Sequence, residues 1–236
     1  VYNSASSINK FNKLLRKQIN KGVSCIAMFQ ATKRVRTIEY AIRDIIFHAK
    51  NVEKKGKKII YLNIGDPVKY DFDTPEHIKE ALFKAVKEGS NWYAPSEGLQ
   101  ELREAICEKE KKVNSVEILP ENVIVTQGVS EAIQMIMAAI VDEGTEILVP
   151  GPSYPPYVSY VNFFGGTPVP YKTVEENGWQ PDIDDLKSKI SGKTRGIVVI
   201  NPNNPTGALC SEKILKKIVD LAGEHDIPLL SDEIYD

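Results

Sequence analysis

Cysteine and histidine are scarce in this sequence of 236 residues, with three of each. Cys25, Cys107 and Cys210 are widely spaced and odd in number, which argues against a disulfide framework and favours a reducing, cytoplasmic compartment. The three histidines are equally isolated, so no Cys/His cluster has the spacing of metal ligands. We therefore interpret all six as packing or surface residues and expect no metal.

Long apolar runs are also missing, as are the common glycine-rich nucleotide motifs. No stretch approaches the ~20 apolar residues that a membrane helix needs, so we expect no membrane contact. No Gly-Lys-Ser/Thr ends a phosphate-binding loop, and no G-x-G-x-x-G follows a predicted strand. The absence of the first motif argues against a Walker-type phosphate loop, and the absence of the second makes a nicotinamide-dependent dehydrogenase the weakest enzyme hypothesis.

Acidic residues are absent from residues 1–38, which carry eight Lys and Arg. We predict that residues 1–30 form a basic, disordered extension; a transit peptide, or upstream sequence outside the working protein, are the alternatives. All 32 acidic residues therefore lie among 39–236, against 22 basic ones. An acidic body without a basic stripe excludes nucleic acid as the expected partner.

What is present is an ordinary globular composition, with 42% apolar and 26% charged residues, and clear periodic patterns. Up to Val113 the patterns predict three helices and one short strand. The helices cover about 35–55, 74–88 and 99–113, and the strand covers 58–63. Thr74 is the predicted N-cap of the second helix, with Pro75 at its first position.

After Pro120, predicted strands alternate with helices, which is typical of an α/β fold. The strands cover 122–126, 146–149, 167–171, 196–200 and 227–230; the helices cover 131–141, 183–190 and 211–224. Such alternation implies a mostly parallel sheet flanked by helices, with ligands beyond the carboxyl ends of its strands. The loops 126–130, 150–157, 201–207 and 231–235 all fall at that end, so we expect them to build one site.

The first loop, Thr126–Glu131, turns from a strand into a helix. Gly128 would let the backbone approach a ligand closely, and the free amides of the first helical turn favour an anion. A plain turn with Ser130 as helix cap is the alternative.

The second loop, Pro150–Tyr157, is stiffened by prolines and presents Tyr154 and Tyr157. A rigidly held aromatic ring suits stacking on a flat heteroaromatic ligand. Two tyrosines that only pack against the core would produce the same pattern, so both interpretations remain open.

The last two loops carry polar groups. Asn204 precedes Pro205, which biases its backbone toward an extended conformation that can aim its amide into the crevice; turn chemistry alone is the alternative. Asp232 ends a buried strand, where a carboxylate needs a cation or strong donor; an N-cap role is the alternative. Tyr235 would face the same crevice and could donate to a phenolate oxygen.

These motifs, in this order, resemble the class I/II aminotransferases of fold type I over roughly residues 30–236. The stretches that look most like archaeal alanine aminotransferases are Leu62–Pro67, Ser96–Leu99 with Glu101–Glu104, Val149–Tyr157 and Trp179–Asp184. The resemblance implies pyridoxal 5′-phosphate as cofactor and a homodimer as the assembly. It also implies that residues 31–73 are the N-terminal part of a small domain together with an inter-domain segment, and that 74–236 are an incomplete large, cofactor-binding domain.

The resemblance assigns a role to each candidate residue. Gly128, Val129 and Ser130 would hold the phosphate and Tyr154 would stack on the ring. Asn204 and Tyr235 would bond the phenolic oxygen, and Asp232 would pair with the ring nitrogen. Tyr93 would reach the neighbouring chain's phosphate, and Gly65 would lie over the substrate. Asp232 and Tyr235 are the expected catalytic residues within this chain.

The implied reaction is ping-pong transfer of an amino group between an L-amino acid, alanine as the best guess, and a 2-oxo acid, 2-oxoglutarate as the best guess. A carbon–sulfur lyase or a synthase of the same fold is the alternative enzyme. The family's Schiff-base lysine is expected after Asp232, and the sequence to Asp236 does not contain it. We therefore expect residues 1–236 alone to be inactive, which leaves an inactive fragment as the other alternative.

Overall fold

The computed structural model describes residues 32–36, 41–62, 65 and 67–235. Its contacts divide the chain into two units, Val1–Ile38 and Glu39–Asp236. Within the first, the described part is the single helical turn Lys33–Arg36. The predicted extension 1–30 lies outside the described residues, and the proposed domain limits stay predictions.

The described residues of the second unit form seven further α-helices. They are α1 (Ala41–Glu53), α2 (Glu76–Lys87), α3 (Gln100–Lys109), α4 (Gly128–Ile140), α5 (Pro155–Phe163), α6 (Ile183–Lys189) and α7 (Glu212–Glu224). A π-helical turn, Glu110–Asn114, extends α3, and short 3₁₀ turns occupy Pro67–Tyr70, Pro120–Asn122 and Glu175–Asn177. Within the described ranges, no helix is both long and apolar enough to cross a membrane.

Five strands form one sheet in the order β3-β2-β1-β4-β5. They are β1 (Glu146–Gly151), β2 (Thr167–Val174), β3 (Gln180–Pro181), β4 (Thr194–Ile200) and β5 (Leu229–Asp232). The β1–β2, β1–β4 and β4–β5 pairs are parallel, and the short β3 pairs with β2 in the antiparallel sense. The predicted mostly parallel sheet is therefore confirmed.

The core lies on both faces of this sheet. Ile147 and Val149 of β1 pack with α4 and α5 on one face, whereas Leu148 packs with α6 and α7 on the other. Alternate side chains of a strand point to opposite faces, so a strand covered on both sides is apolar throughout. This explains why β1 and β4 were readable as short continuous apolar runs.

Two predicted strands are wrong. Asn122 ends a 3₁₀ turn, and the extended residues after it pair with no strand of the described chain; the Val125 N–H instead donates to the Glu97 carbonyl at 2.9 Å. The apolar run Val123–Val125 is typical of a strand, but a strand also requires a hydrogen-bonded neighbour. Residues 57–62 are likewise irregular, and Asn63 lies outside the described residues.

Helix α5 was missed, because residues 150–157 were predicted to be loop throughout. Pro155 and Pro156 occupy its first two positions. Proline is tolerated there because the N–H groups of the first helical turn have no hydrogen-bond partner within the helix. Helix α4 begins at Gly128, three residues before its predicted start, and its N-cap is Gln127. The alternative in which Ser130 caps this helix is therefore wrong.

Candidate cofactor site at the carboxyl ends of the strands

A narrow cavity of about 90 Å³ lies where β4 and β5 end. Its lining residues come from all four loops that the sequence placed at this edge: Val129, Tyr154, Ile200, Asn204, Asp232, Ile234 and Tyr235. The convergence follows from the topology, because parallel strands deliver their carboxyl ends to the same edge of the sheet. The structure thus brings these residues together, while their roles remain predictions.

Asp232 is the buried charged group of this cavity. It is the last residue of β5 and only 4% exposed. Its Oδ2 accepts a hydrogen bond from the Tyr157 hydroxyl at 2.9 Å, and its Oδ1 accepts from the Ile234 N–H at 3.3 Å. Within the described chain no Lys, Arg or His pairs with it, so the carboxylate is left able to receive a cationic donor from a ligand.

Tyr157 is the residue whose contribution the sequence did not reveal. It is buried in the first turn of α5, and burial, together with the negative charge of Asp232, raises the pKa of its phenol far above the ordinary value. The hydroxyl therefore stays protonated and acts as a donor to the carboxylate. Its 75-residue separation from Asp232 left no local sequence signal.

Asn204 and Tyr235 form the polar end of the cavity. The Asn204 side-chain amide donates to the Tyr235 hydroxyl oxygen at 3.1 Å. The loop that carries Asn204 is tied to β5, because the Asn201 N–H donates to the Asp232 carbonyl at 2.9 Å. Asn203 secures the loop further, with its Oδ1 accepting from the Thr206 hydroxyl at 2.9 Å. Asn204 is therefore held against the strand end.

The N-terminus of α4 borders the same cavity through Val129. Gly128 has φ +69°, a conformation that favours glycine, and a Cβ built there would have no atom within 4 Å. Among the described atoms, the N–H groups of Val129 and Ser130 find no acceptor, while the Glu131 carboxylate takes the Gln127 N–H at 2.5 Å. Free amides at the positive end of a 13-residue helix suit an anion.

Tyr154 lines the cavity from the N-cap position of α5. Its ring meets that of Tyr157 edge to face, with centroids 6.5 Å apart and planes at 74°. Tyr157 belongs to the core cluster and Tyr154 packs partly against it. The packing interpretation is thus confirmed for Tyr157, whereas Tyr154 also presents surface to the cavity and its stacking role stays a prediction.

Two predicted site residues are not brought to this cavity. Tyr93 is fully exposed. Gly65 is also exposed, with nothing within 4 Å of a Cβ built on it, and its neighbour Asp66 lies outside the described residues. Neither of them lines the cavity, so their roles rest on the resemblance alone.

A larger crevice of about 620 Å³ adjoins the narrow cavity, sharing Val129, Asp232 and Ile234 with it. Its other walls are largely apolar and come mainly from α3, α4 and β5, including Ile106 and Met137, with Tyr157 of α5 beside Asp232. The polar groups that could orient a ligand concentrate in the narrow cavity. Asp232 therefore stands where a polar cavity meets an apolar crevice, a setting common in ligand sites.

Comparison with known proteins places this geometry in context. Residues 57–236 match the family model described as aminotransferase class I and II. An alanine aminotransferase from Mycobacterium bovis is 40% identical over 216 residues, which are 88% of this chain and 49% of that protein. A probable aspartate/prephenate aminotransferase from Aquifex aeolicus is 44% identical over 188 residues, 80% of this chain and 47% of that protein.

Solved structures agree with these matches. The alanine aminotransferase from Pyrococcus furiosus superposes with a TM-score of 0.85 at 60% identity, covering 88% of this chain and 53% of that one. The aspartate aminotransferase from Thermus thermophilus with maleate has a TM-score of 0.81 at 38% identity, covering 88% and 54%. The chain thus spans about half the length of the relatives it matches.

Proposed function

This chain belongs to the class I and II aminotransferases, with the fold of the fold type I enzymes, and we propose that the whole protein transfers an amino group from L-alanine to 2-oxoglutarate. The proposal concerns the whole protein because the chain covers about half of its relatives. Relatives named for alanine and for aspartate both match, and the 60% identity to the Pyrococcus alanine enzyme favours alanine.

The observation that carries the proposal is Asp232, a carboxylate buried at a strand end and without a basic partner in the described chain. Such a group fits the protonated ring nitrogen of pyridoxal 5′-phosphate, which we propose as the cofactor. Bound there, pyridoxal phosphate supplies an electron sink for the electron pair released at the substrate's α-carbon. Asp232 would hold the proton on the ring nitrogen and so maintain the electron demand.

The remaining residues fit the other parts of the same ligand. The free amides of Val129 and Ser130 would bind the phosphate at the N-terminus of α4. Asn204 and Tyr235, already hydrogen-bonded to each other, would orient the phenolic oxygen. Tyr154 would cover one ring face. Together they would fix the position of the ring in the cavity.

We also propose a homodimer in a reducing, cytoplasmic setting, with Tyr93 of each chain reaching the partner's phosphate and Gly65 leaving room for substrate. Full exposure of Tyr93 is consistent with a contact outside its own chain. Exposed apolar residues on α2, such as Leu82 and Phe83, supply surface that a second copy could cover. Light scattering of the whole protein, and cofactor affinity after Tyr93→Phe, test this assembly.

The test of the reaction is an assay of the whole protein with L-alanine and 2-oxoglutarate, following pyruvate and glutamate together. Equal amounts of both products, with parallel-line kinetics, are expected for ping-pong transfer. Asp232→Asn should reduce the rate by about a hundredfold or more, whereas Asp220→Asn, in an exposed ion pair on α7, should not.

Three outcomes would contradict the proposal. Transfer from aspartate but not alanine would reject the substrate. Repeated pyruvate release from a sulfur amino acid without any 2-oxo acid would indicate a lyase. No transfer with any amino acid, from protein that binds pyridoxal phosphate, would reject the reaction class. Residues 1–236 assayed alone, which lack the lysine expected after Asp232, should show no turnover.

A further inference from the structure

The hydrogen bond between Tyr157 and Asp232 joins two elements that are distant in sequence and are both buried at the site. The Tyr157 hydroxyl donates over 2.9 Å to Oδ2, and both residues are exposed by only 4%. The second donor to this carboxylate, the Ile234 N–H, is longer at 3.3 Å and approaches the other oxygen. Tyr157 therefore provides the shorter of the two hydrogen bonds that hold the carboxylate in place.

The position of Tyr157 is set by the chain around Tyr154. Pro155 and Pro156 restrict the first turn of α5, and the Tyr157 N–H donates to the Tyr154 carbonyl at 3.2 Å. Tyr154 faces the narrow cavity, while Tyr157 lines the adjoining crevice beside Asp232. A single proline-restricted turn thus places one ring at the cavity and a hydroxyl on the carboxylate.

Packing alone does not explain the hydroxyl. The ring of Tyr157 fills the core beside residues such as Ile133 and Val161, which a phenylalanine would also do. The hydroxyl, however, is aimed at the carboxylate that our proposed function pairs with a ring nitrogen. Without the hydroxyl, the carboxylate would keep only the longer hydrogen bond from the Ile234 N–H, so its orientation toward a ring nitrogen would be less firmly fixed.

We propose that Tyr157 is a positioning residue for the cofactor, one that holds the Asp232 carboxylate oriented toward the ring nitrogen. The inference rests on the proposed function, because it presupposes a ligand with such a nitrogen. Its specific consequence is that removal of the hydroxyl weakens recognition of the nitrogen and leaves recognition of phosphate and ring face unchanged.

The experiment compares two ligands on the whole protein freed of cofactor. Pyridoxamine 5′-phosphate carries the ring nitrogen, and its 1-deaza analogue has a carbon in that place. Calorimetric titration gives the ratio of the two affinities. Tyr157→Phe should lower that ratio about tenfold, equivalent to about 1.4 kcal/mol.

Tyr171→Phe is the matched control. Tyr171 is also a buried tyrosine, and its hydroxyl donates to the Val198 carbonyl at 2.8 Å, with no contact to Asp232. Its loss should lower stability without changing the ratio of affinities. Tyr157→His, which retains a donor, should restore part of the ratio. If Tyr157→Phe does not fold, Tyr157→Met replaces it as the variant without a donor, compared with Tyr157→His.

The outcomes separate the inference from the proposed function. If Tyr157→Phe weakened the binding of both ligands equally, the ratio of affinities would not change and the role of Tyr157 would be purely structural. If it changed neither affinity, the inference would be overturned as well. If the unaltered protein bound neither ligand, or did not prefer the one with the nitrogen, the proposed cofactor site itself would fail.

Discussion

The side-chain amide of Asn204 donates a hydrogen bond to the Tyr235 hydroxyl over 3.1 Å, although 31 residues separate the two in sequence. One lies in the loop after β4 and the other just beyond β5. Because β4 and β5 are parallel neighbours, their following loops meet at one edge of the sheet. The pair is therefore a product of the strand order, and it leaves both polar groups at the rim of the cavity.

Removing either member of this pair should weaken binding of pyridoxamine 5′-phosphate. We expect Asn204→Ala and Tyr235→Phe each to cost about 1 kcal/mol of binding free energy, and the double variant to cost less than their sum because the two groups act together. Asn91→Ala, an exposed asparagine whose amide donates to the Val86 carbonyl, should change nothing. Calorimetry on the four variants tests this, and strictly additive losses would show that the two residues act independently.

A methyl group at Gly128 should affect stability and ligand affinity separately. With φ +69°, Gly128→Ala introduces backbone strain of about 1–2 kcal/mol. It also places a Cβ beside the free amides that we assign to phosphate, so affinity for pyridoxal phosphate should fall several-fold.

Gly178→Ala is the control for this strain. Gly178 has φ +62°, also has nothing within 4 Å of a built Cβ, and caps a 3₁₀ turn that contributes no lining residue to the cavity. It should lower the urea midpoint to a similar degree and leave affinity unchanged. Equal affinity losses in both variants would count against a phosphate site at α4.

The carboxylate of Asp185 should make stability depend on pH. Burial alone would raise its pKa, but hydrogen bonds from Lys189 at 2.6 Å and from the Lys172 N–H at 2.7 Å outweigh burial and hold the pKa below the ordinary value of 3.8. Because the pKa is lowered in the folded state, the contribution of ionised Asp185 to stability is complete above pH 3.8. That contribution is lost as the pH falls through the folded-state pKa.

Asp185→Asn should therefore be less stable than the unaltered protein at neutral pH, and the difference should shrink below about pH 4. Urea unfolding at a series of pH values measures it. Asp184→Asn, an exposed neighbour on α6, should show a small difference without this acid-dependent loss. If the difference in stability between Asp185→Asn and the unaltered protein stayed constant down to acidic pH, stability would not depend on the ionisation of Asp185.

Substitution of Leu186 tests the core on the face of the sheet that is covered by α6 and α7. It is fully buried among residues of β1, β4 and α7, so Leu186→Ala should cost about 2–5 kcal/mol in the free energy of unfolding. Leu209→Ala removes the same atoms from a side chain that is 65% exposed and should stay within about 0.5 kcal/mol. Similar losses for both would mean that this cluster is not a packed core.

The sequence predicted those elements whose signals are local. Ser211, followed by Glu212, indicated the start of α7, and the Ser211 hydroxyl does accept the Ile214 N–H at 3.4 Å. The apolar runs of β1 and β4 indicated strands because both of their faces are buried. Residues 122–126 carried the same type of signal and form no strand, because pairing depends on a neighbour that local pattern does not encode.

By itself, the sequence determined the α/β class, the four loops at one edge of the sheet and the chemical types available there. Each of these depends on periodicity, on turn residues or on chain order, which are properties of neighbouring residues. Only the tertiary structure decided which groups meet. It placed the Tyr157 hydroxyl on Asp232 and the Asn204 amide on Tyr235, because strand order and helix packing bring together residues that are far apart along the chain.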